Sequence, residues 1–196
     1  MTGLNIQRID FFMSYGVNYS FPTVFWKFKI GPFDFGNLED RCTVYDEGKW
    51  SCVVKTSRGI QYDWTEFGKL LQPITKELPI QLGYKFGMQE PWMNVYEKGH
   101  YQEPHHHIDG QSNLSWCYFH KLPENSGEFG FWNEMYRSYA ATTPMITIGS
   151  DIAEWQYPEV EEGDLLVFPS FLTHQVTYHK SDERRVTVSG NITVFR

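Results

Sequence analysis

The sequence predicts a mainly β protein. A sandwich or closed barrel is expected over about residues 85–196, with a mixed α/β part over about residues 1–84 packed on it and at least one buttressing helix. Three observations predict this. From Lys85 onward the chain is a succession of short extended runs, and such spacing suits a sandwich or barrel. Turn residues punctuate those runs at Lys98-Gly99, Pro123 to Gly127, Glu162-Gly163 and Ser181-Asp182. Only one stretch, near residue 70, carries a clear helical period. No repeat, linker or low-complexity tract divides the chain, so residues 1–196 read as a single domain, long enough for a sizeable core.

Met1 to Pro22 mixes polar and aromatic residues without a period. Thr23 to Ile30 alternates late and reads as a strand. Thr43-Val44-Tyr45 and Trp50 to Lys55 flank Asp46-Glu47-Gly48-Lys49, the pattern of a hairpin. Trp64, Phe67, Leu70, Leu71 and Ile74 then recur at three and four residues. This predicts an amphipathic helix from about Asp63 to Glu77, with Asp63 as N-cap and Pro73 bending it or ending it early. Strands are expected at roughly Gly87 to Lys98, Leu114 to Leu122, Glu128 to Asn133, Met145 to Gly149, Asp164 to Pro169, Gln175 to His179 and Arg185 to Phe195.

Composition excludes several classes of function. A hydrophobic share of 41% with 17% aromatic residues argues against disorder. The formal charge of -7 makes nucleic acid an unlikely partner, because phosphate binding needs a basic surface. No apolar run approaches the roughly 20 residues of a membrane span. Met1 to Arg8 is not followed by a signal-like apolar core, so nothing marks export and a cytoplasmic location is expected. Cys42, Cys52 and Cys117 are odd in number and widely spaced, and they read as free thiols in a reducing compartment.

Three markers carry chemistry. The first is Glu103-Pro104-His105-His106-His107-Ile108-Asp109. Alternate residues of an extended segment point to one side, so His105 can act with His107, and His107 with Asp109. Either pair offers two ligands to one metal ion. The second marker is Glu162 to Ser170, a turn leading into an apolar strand that ends at Pro169, followed by His174. The third is Arg185-Val186-Thr187-Val188-Ser189, which puts Arg185, Thr187 and Ser189 on one strand face and the valines on the other. That polar face suggests a pocket whose guanidinium could clamp a carboxylate. His106 should point away from the metal. His100, His120 and His179 have no partner at ligand spacing, and Cys117 reads as packing.

With these residues in view, the chain resembles the 2-oxoglutarate- and Fe(II)-dependent dioxygenases in their prolyl-hydroxylase-like branch, close to the small oxygenases of marine phages and bacteria. The resemblance covers roughly Trp92 to Val194. It rests chiefly on Gly163 to Asn191, with its Gly-Asp-Leu-Leu strand, Phe-Pro-Ser, a nearby histidine, and Arg-x-Thr-x-Ser ending in Asn. The fold implied is a double-stranded β-helix, or jelly roll. The cofactors implied are Fe(II) and 2-oxoglutarate, the partners are dioxygen and an unidentified substrate, and the usual outcome is hydroxylation of a C–H bond, peptidyl proline being one target by analogy. Carried over by position, His174 is the distal ligand and Arg185 meets the distal carboxylate of 2-oxoglutarate, with Thr187 beside it. Tyr96, nine residues before His105, is expected to reach the cosubstrate, and Tyr118 is a second candidate for the same pocket.

The departure from the family's usual His-x-Asp leaves two registers. Read literally, His107 and Asp109 are the pair; read by spacing from Tyr96, His105 and His107 are, and this second register is preferred. One rival is a cupin-like metal protein without 2-oxoglutarate, which has no need of Arg185. The other is a non-catalytic jelly roll with a vestigial metal site, which would be expected to lose ligands or the arginine first.

Overall fold

The computed structural model describes residues 23–44, 53–74, 78, 84–136 and 153–196. Among them, two antiparallel sheets face each other. The larger contains β1 (Trp26–Lys29), β2 (Thr43–Val44), β3 (Lys55–Thr56), β4 (Lys85–Met88), β5 (Trp92–Tyr96), β7 (Leu114–Lys121), β10 (Asp164–Pro169) and β12 (Arg185–Phe195). Its order is β1-β10-β7-β12-β5-β3-β2, with β4 also beside β12. The smaller runs β6-β11-β8-β9, made of β6 (Gln102–His105), β8 (Phe129–Trp132), β9 (Trp155–Gln156) and β11 (His174–Val176). Two helices, α1 (Leu38–Arg41) and α2 (Thr65–Leu71), complete the described elements.

Period-2 alternation explains the layering. On β7, Trp116 and Tyr118 join one buried cluster, while Cys117 and Phe119 join another. Leu165 and Val167 of β10 divide from Leu166 and Phe168 in the same way. The first cluster lies on the outer face of the large sheet, where α2 packs through Phe67 and Leu71 beside Phe35 and Leu38. Burying a side chain such as Phe67 completely is worth about 1.5–3 kcal/mol. The second cluster fills the space between the sheets with Phe129, Phe131, Phe168 and Val176. A helix-and-aromatic layer therefore buttresses the large sheet from outside, and the inner face of that sheet is left for the site.

The expected strands Asp164–Pro169 and Arg185–Phe195 coincide with β10 and β12. The run Gly87 to Lys98 divides into β4 and β5, because Pro91 has no N–H to give to a ladder. β11 starts at His174 and stops at Val176; His179 instead exchanges backbone bonds with Gly99 and His100. The hairpin arms pair through Thr43 with Thr56 and Val44 with Lys55, but the turn between them lies outside the described residues. So does the expected strand Met145–Gly149. The helix is shorter than its period suggested. It begins after Trp64, with Asp63 Oδ1 accepting from the Thr65 N–H at 3.0 Å, and it ends before Pro73. α1 and β9 were not anticipated, since two to four residues are too few to show a period. Gly163 takes a φ of 84° at the turn into β10, with its carbonyl accepting from Ile30 and Gly31, and a Cβ there would sit 3.0 Å from Gly31 backbone.

Candidate active site

β6 and β11 pair so that His105 and His174 are directly opposite, and His107 follows two residues later. The His107 N–H donates to Ser170 O at 2.9 Å, which holds the segment after β6 against the turn after β10. The ring centroids are 4.3 Å apart for His105 and His174, 5.1 Å for His107 and His174, and 5.3 Å for His105 and His107. One nitrogen from each ring lies within 4.8 Å of the others, so the three could hold one metal ion.

The hydrogen bonds decide which nitrogen is free. Nδ1 of His105 is 2.8 Å from Glu103 O, Nδ1 of His174 is 2.9 Å from Leu172 O, and Nδ1 of His107 is 2.7 Å from Asn191 Oδ1. A carbonyl oxygen can only accept, so each Nδ1 carries the proton and each Nε2 keeps a lone pair, the tautomer that a metal takes. Burial holds all three rings neutral. It lowers the pKa of His105 from 6.5 to about 4, pushes that of His174 well below 6.5 and lowers that of His107. The packing of His174 against Phe129 and Phe168 adds to this desolvation.

Asp109 lies outside the cluster. Its carboxylate accepts from the backbone N–H groups of Gln111 and Ser112 and from the Ser112 hydroxyl, which lowers its pKa and makes it the organiser of a turn. His106 is exposed, as its alternation required.

Arg185 is fully buried at the start of β12, opposite Tyr96 of β5. Among the described residues its Nε, Nη1 and Nη2 have no hydrogen-bond partner, and its guanidinium carbon stands 4.8 Å from the Tyr96 ring centroid. Burial lowers its pKa, while the neighbouring Tyr96 and Cys117 favour the charge. The Tyr96 hydroxyl donates to Gln102 Oε1 at 2.7 Å. Thr187 is buried on the same strand face as Arg185. Tyr118 is a correction. Alternation along β7 turns it to the outer cluster beside Phe35 and Phe67, and its hydroxyl donates to Gly31 O at 2.9 Å. It therefore faces away from Arg185. Arg184 also faces elsewhere, paired with Asp40 at 2.8 Å.

A cavity of about 750 Å³ opens on His105 and His107, with Asn94, Gln102, Trp92 and Arg58 among its walls. The Arg58 guanidinium lies over Trp92, 3.8 Å from the ring centroid. Sequence reasoning missed the part played by Asn191. The signal was present, since Arg185, Thr187 and Ser189 share a strand face that continues to Asn191.

The family described as "Putative 2OG-Fe(II) oxygenase" matches residues 90–191, more than half of the chain. The chain belongs to this family. Its fold is the jelly roll shared by solved oxygenases. HygX from Streptomyces hygroscopicus, solved with nickel, 2-oxoglutarate and hygromycin B bound, aligns with a TM-score of 0.57 at 12% identity, covering 87% of this chain and 83% of that one. An oxidoreductase of the 2OG-Fe(II) oxygenase family from Burkholderia pseudomallei aligns at 0.54 and 9% identity, covering 80% and 75%. The non-heme alpha ketoglutarate dependent epimerase SnoN from nogalamycin biosynthesis aligns at 0.57 and 12%, covering 87% and 76%. No curated protein sequence matches the chain. Among the described residues, no helix of this oxygenase is long and apolar enough to cross a membrane.

Proposed function

We propose that His105, His107 and His174 hold Fe(II) through their Nε2 atoms and that Arg185 receives the distal carboxylate of 2-oxoglutarate, with Tyr96 and Thr187 beside it. The oxygenase uses dioxygen and the cosubstrate to hydroxylate a C–H bond of a peptidyl substrate, prolyl included, or of a small molecule. The observation that carries the reading is the unpartnered guanidinium of Arg185. A buried charge with three unsatisfied nitrogens is costly, and a carboxylate accepting two parallel bonds is the group that relieves it. A cupin-like protein without 2-oxoglutarate has no use for that arrangement.

Iron with bound 2-oxoglutarate supplies the oxidising chemistry. The chain supplies binding, orientation and exclusion of water. The three protonated Nδ1 atoms fix the ring orientations before metal arrives. Phe129, Phe131 and Phe168 line the interior behind His174 and keep it dry. The cavity beside His105 and His107 is the route by which a substrate reaches the site. Three neutral imidazoles leave the centre one negative charge poorer than two imidazoles and a carboxylate. We also propose that residues 1–196 act as one domain, since β1, β2 and β3 join the same sheet as β12. Among the described residues Cys42 and Cys117 are buried free thiols, and a cytoplasmic location is part of the proposal.

The test is anaerobic titration of the metal-free protein with Fe(II) and then 2-oxoglutarate. A weak visible charge-transfer band of the chelate is expected after the second addition. Iron binding with no band and no heat from 2-oxoglutarate would favour the cupin-like reading instead.

A further inference from the structure

The three histidines are supported in two different ways. His105 and His174 each give Nδ1–H to the backbone carbonyl two residues earlier, Glu103 and Leu172. Those acceptors are backbone atoms two residues from the ring they hold, in β6 for Glu103 and in the turn before β11 for Leu172, and they survive side-chain substitution. His107 depends on side chains from other strands: its Nδ1 lies 2.7 Å from Asn191 Oδ1 of β12, 84 residues away in sequence, and 3.2 Å from Ser115 Oγ of β7, so Asn191 is the nearer acceptor.

Asn191 is itself oriented by buried neighbours. Its Oδ1 accepts from Ser115 Oγ at 2.9 Å, and Ser115 Oγ lies 2.9 Å from Ser170 Oγ. A serine hydroxyl has one proton, and Oδ1 has none to give. The Ser115 proton therefore goes to Asn191, and Ser170 donates to Ser115. On the other side, Asn191 Nδ2 donates to Gln89 Oε1 at 3.4 Å, and Gln89 Nε2 donates to Ser112 Oγ at 3.1 Å. Ser112 in turn is held by Asp109 at 2.9 Å. The amide cannot flip without setting its Nδ2 against the His107 N–H and the Ser115 hydroxyl proton. Asn191 is 7% exposed, Ser115 0% and Ser170 2%, so water offers little replacement.

We infer that Asn191 is the positioning residue for His107: its oriented amide oxygen keeps Nδ1 protonated and commits Nε2 to the metal. The inference rests on the proposed three-histidine site. It assigns β12 two tasks, the cosubstrate clamp at Arg185 and the support of one metal ligand six residues later.

The experiment titrates the metal-free full chain with Co(II), followed by its visible absorption, for wild type, Asn191→Leu and Asn191→Asp. Removing such a partner weakens metal binding by about 10–100-fold, so Asn191→Leu is expected in that range. Asn191→Asp keeps an acceptor for Nδ1–H and should bind Co(II) at or above wild-type affinity. Histidine-selective NMR of the metal-free proteins supplies a second readout that does not depend on the metal. The ring N–H signal of His107 should exchange with solvent faster in Asn191→Leu, where only Ser115 Oγ at 3.2 Å remains as acceptor, and stay protected in Asn191→Asp, while those of His105 and His174 persist unchanged in both. Should Asn191→Leu fail to fold, Asn191→Ala takes its place with the same expectations. Wild-type Co(II) affinity in the Leu and Ala variants, or an Asp variant as weak as they are, overturns the role of Asn191. No Co(II) binding by wild type would overturn the metal site itself, and the ring N–H signals would still judge Asn191.

Discussion

Arg185 is the residue on which the cosubstrate reading turns, and its chemistry makes it testable. Arg185→Lys keeps a charge but loses the planar fork that meets a carboxylate with two bonds. A charged hydrogen bond is worth about 1.5–3 kcal/mol, and each 1.4 kcal/mol is about tenfold in affinity. The dissociation constant of 2-oxoglutarate, measured by calorimetry on the metal-loaded protein, should therefore rise by about tenfold or more. Fe(II) affinity without cosubstrate should hardly change. Arg184→Lys, on the face that meets Asp40, should alter neither. The two registers of the histidine run separate just as cleanly. His105→Ala and His174→Ala should each abolish tight metal binding, whereas Asp109→Ala should retain most of it while loosening the 109–112 turn. Metal content of the purified variants reads this out. Loss of metal in Asp109→Ala with retention in His105→Ala would restore the literal His-x-Asp reading. At this scale the grouping of His105, His107 and His174 was legible, because adjacent alternation and one distant histidine already pointed to one cluster. Between Asp109 and His105 the spacing from Tyr96 favoured His105, but the literal His-x-Asp register stayed open. The choice depends on where the chain turns, and the sequence pattern does not say that Ser112 captures the carboxylate.

β12 is the element that joins the parts of the site. It pairs with β4, β5 and β7, places Arg185 beside Tyr96, and turns Asn191 toward His107. Its outward face must lie close to Trp116. A Cβ added at Gly190 would stand 2.6 Å from Cε2 of that indole, and a ring wedged in the outer cluster cannot step aside cheaply. Gly190→Ala should cost about 1–3 kcal/mol of stability, as overpacking does, seen as a lower urea midpoint at unchanged slope. An unchanged midpoint would mean that the Trp116 side of the sheet yields more readily than its burial implies. β10 was readable from its apolar run after a Gly turn, and β12 from its alternation. β9 was not, because two residues hold no period, and its place is set by Trp155 against Trp132 across the sheet. Tyr118 was misassigned for a related reason. An apolar strand buried on both faces does not announce which of its alternating sets looks inward.

For the whole molecule, the three neutral histidines couple folding to pH. In the unfolded chain each takes a proton near pH 6.5, whereas in the folded protein His105 resists until about pH 4 and His107 and His174 are also shifted down. Below pH 6.5 the unfolded state thus binds protons that the folded state refuses. Stability is fully present above 6.5 and is lost progressively as pH falls toward 4. The melting temperature of the metal-free protein should fall across that window, and saturating Co(II) should raise it at pH 7.5 by mass action. His174→Gln should flatten the acid limb. An acid limb as steep in His174→Gln as in wild type would assign the loss to carboxylates instead.

The strand pairings that build the molecule join distant parts of the chain: Trp26 of β1 with Val167 of β10, Tyr96 of β5 with Arg185 of β12. Sheets closed by such long-range contacts assemble slowly, on the order of milliseconds to seconds. His105 meets His174 only when β6 and β11 have paired, and His107 gains its amide partner only when β12 has docked. Iron therefore has no complete nest to enter while the chain is still collapsing. With the proposed ligands, maturation should be ordered in time, polypeptide first and metal afterwards, and refolding with or without the ion present should proceed at the same rate.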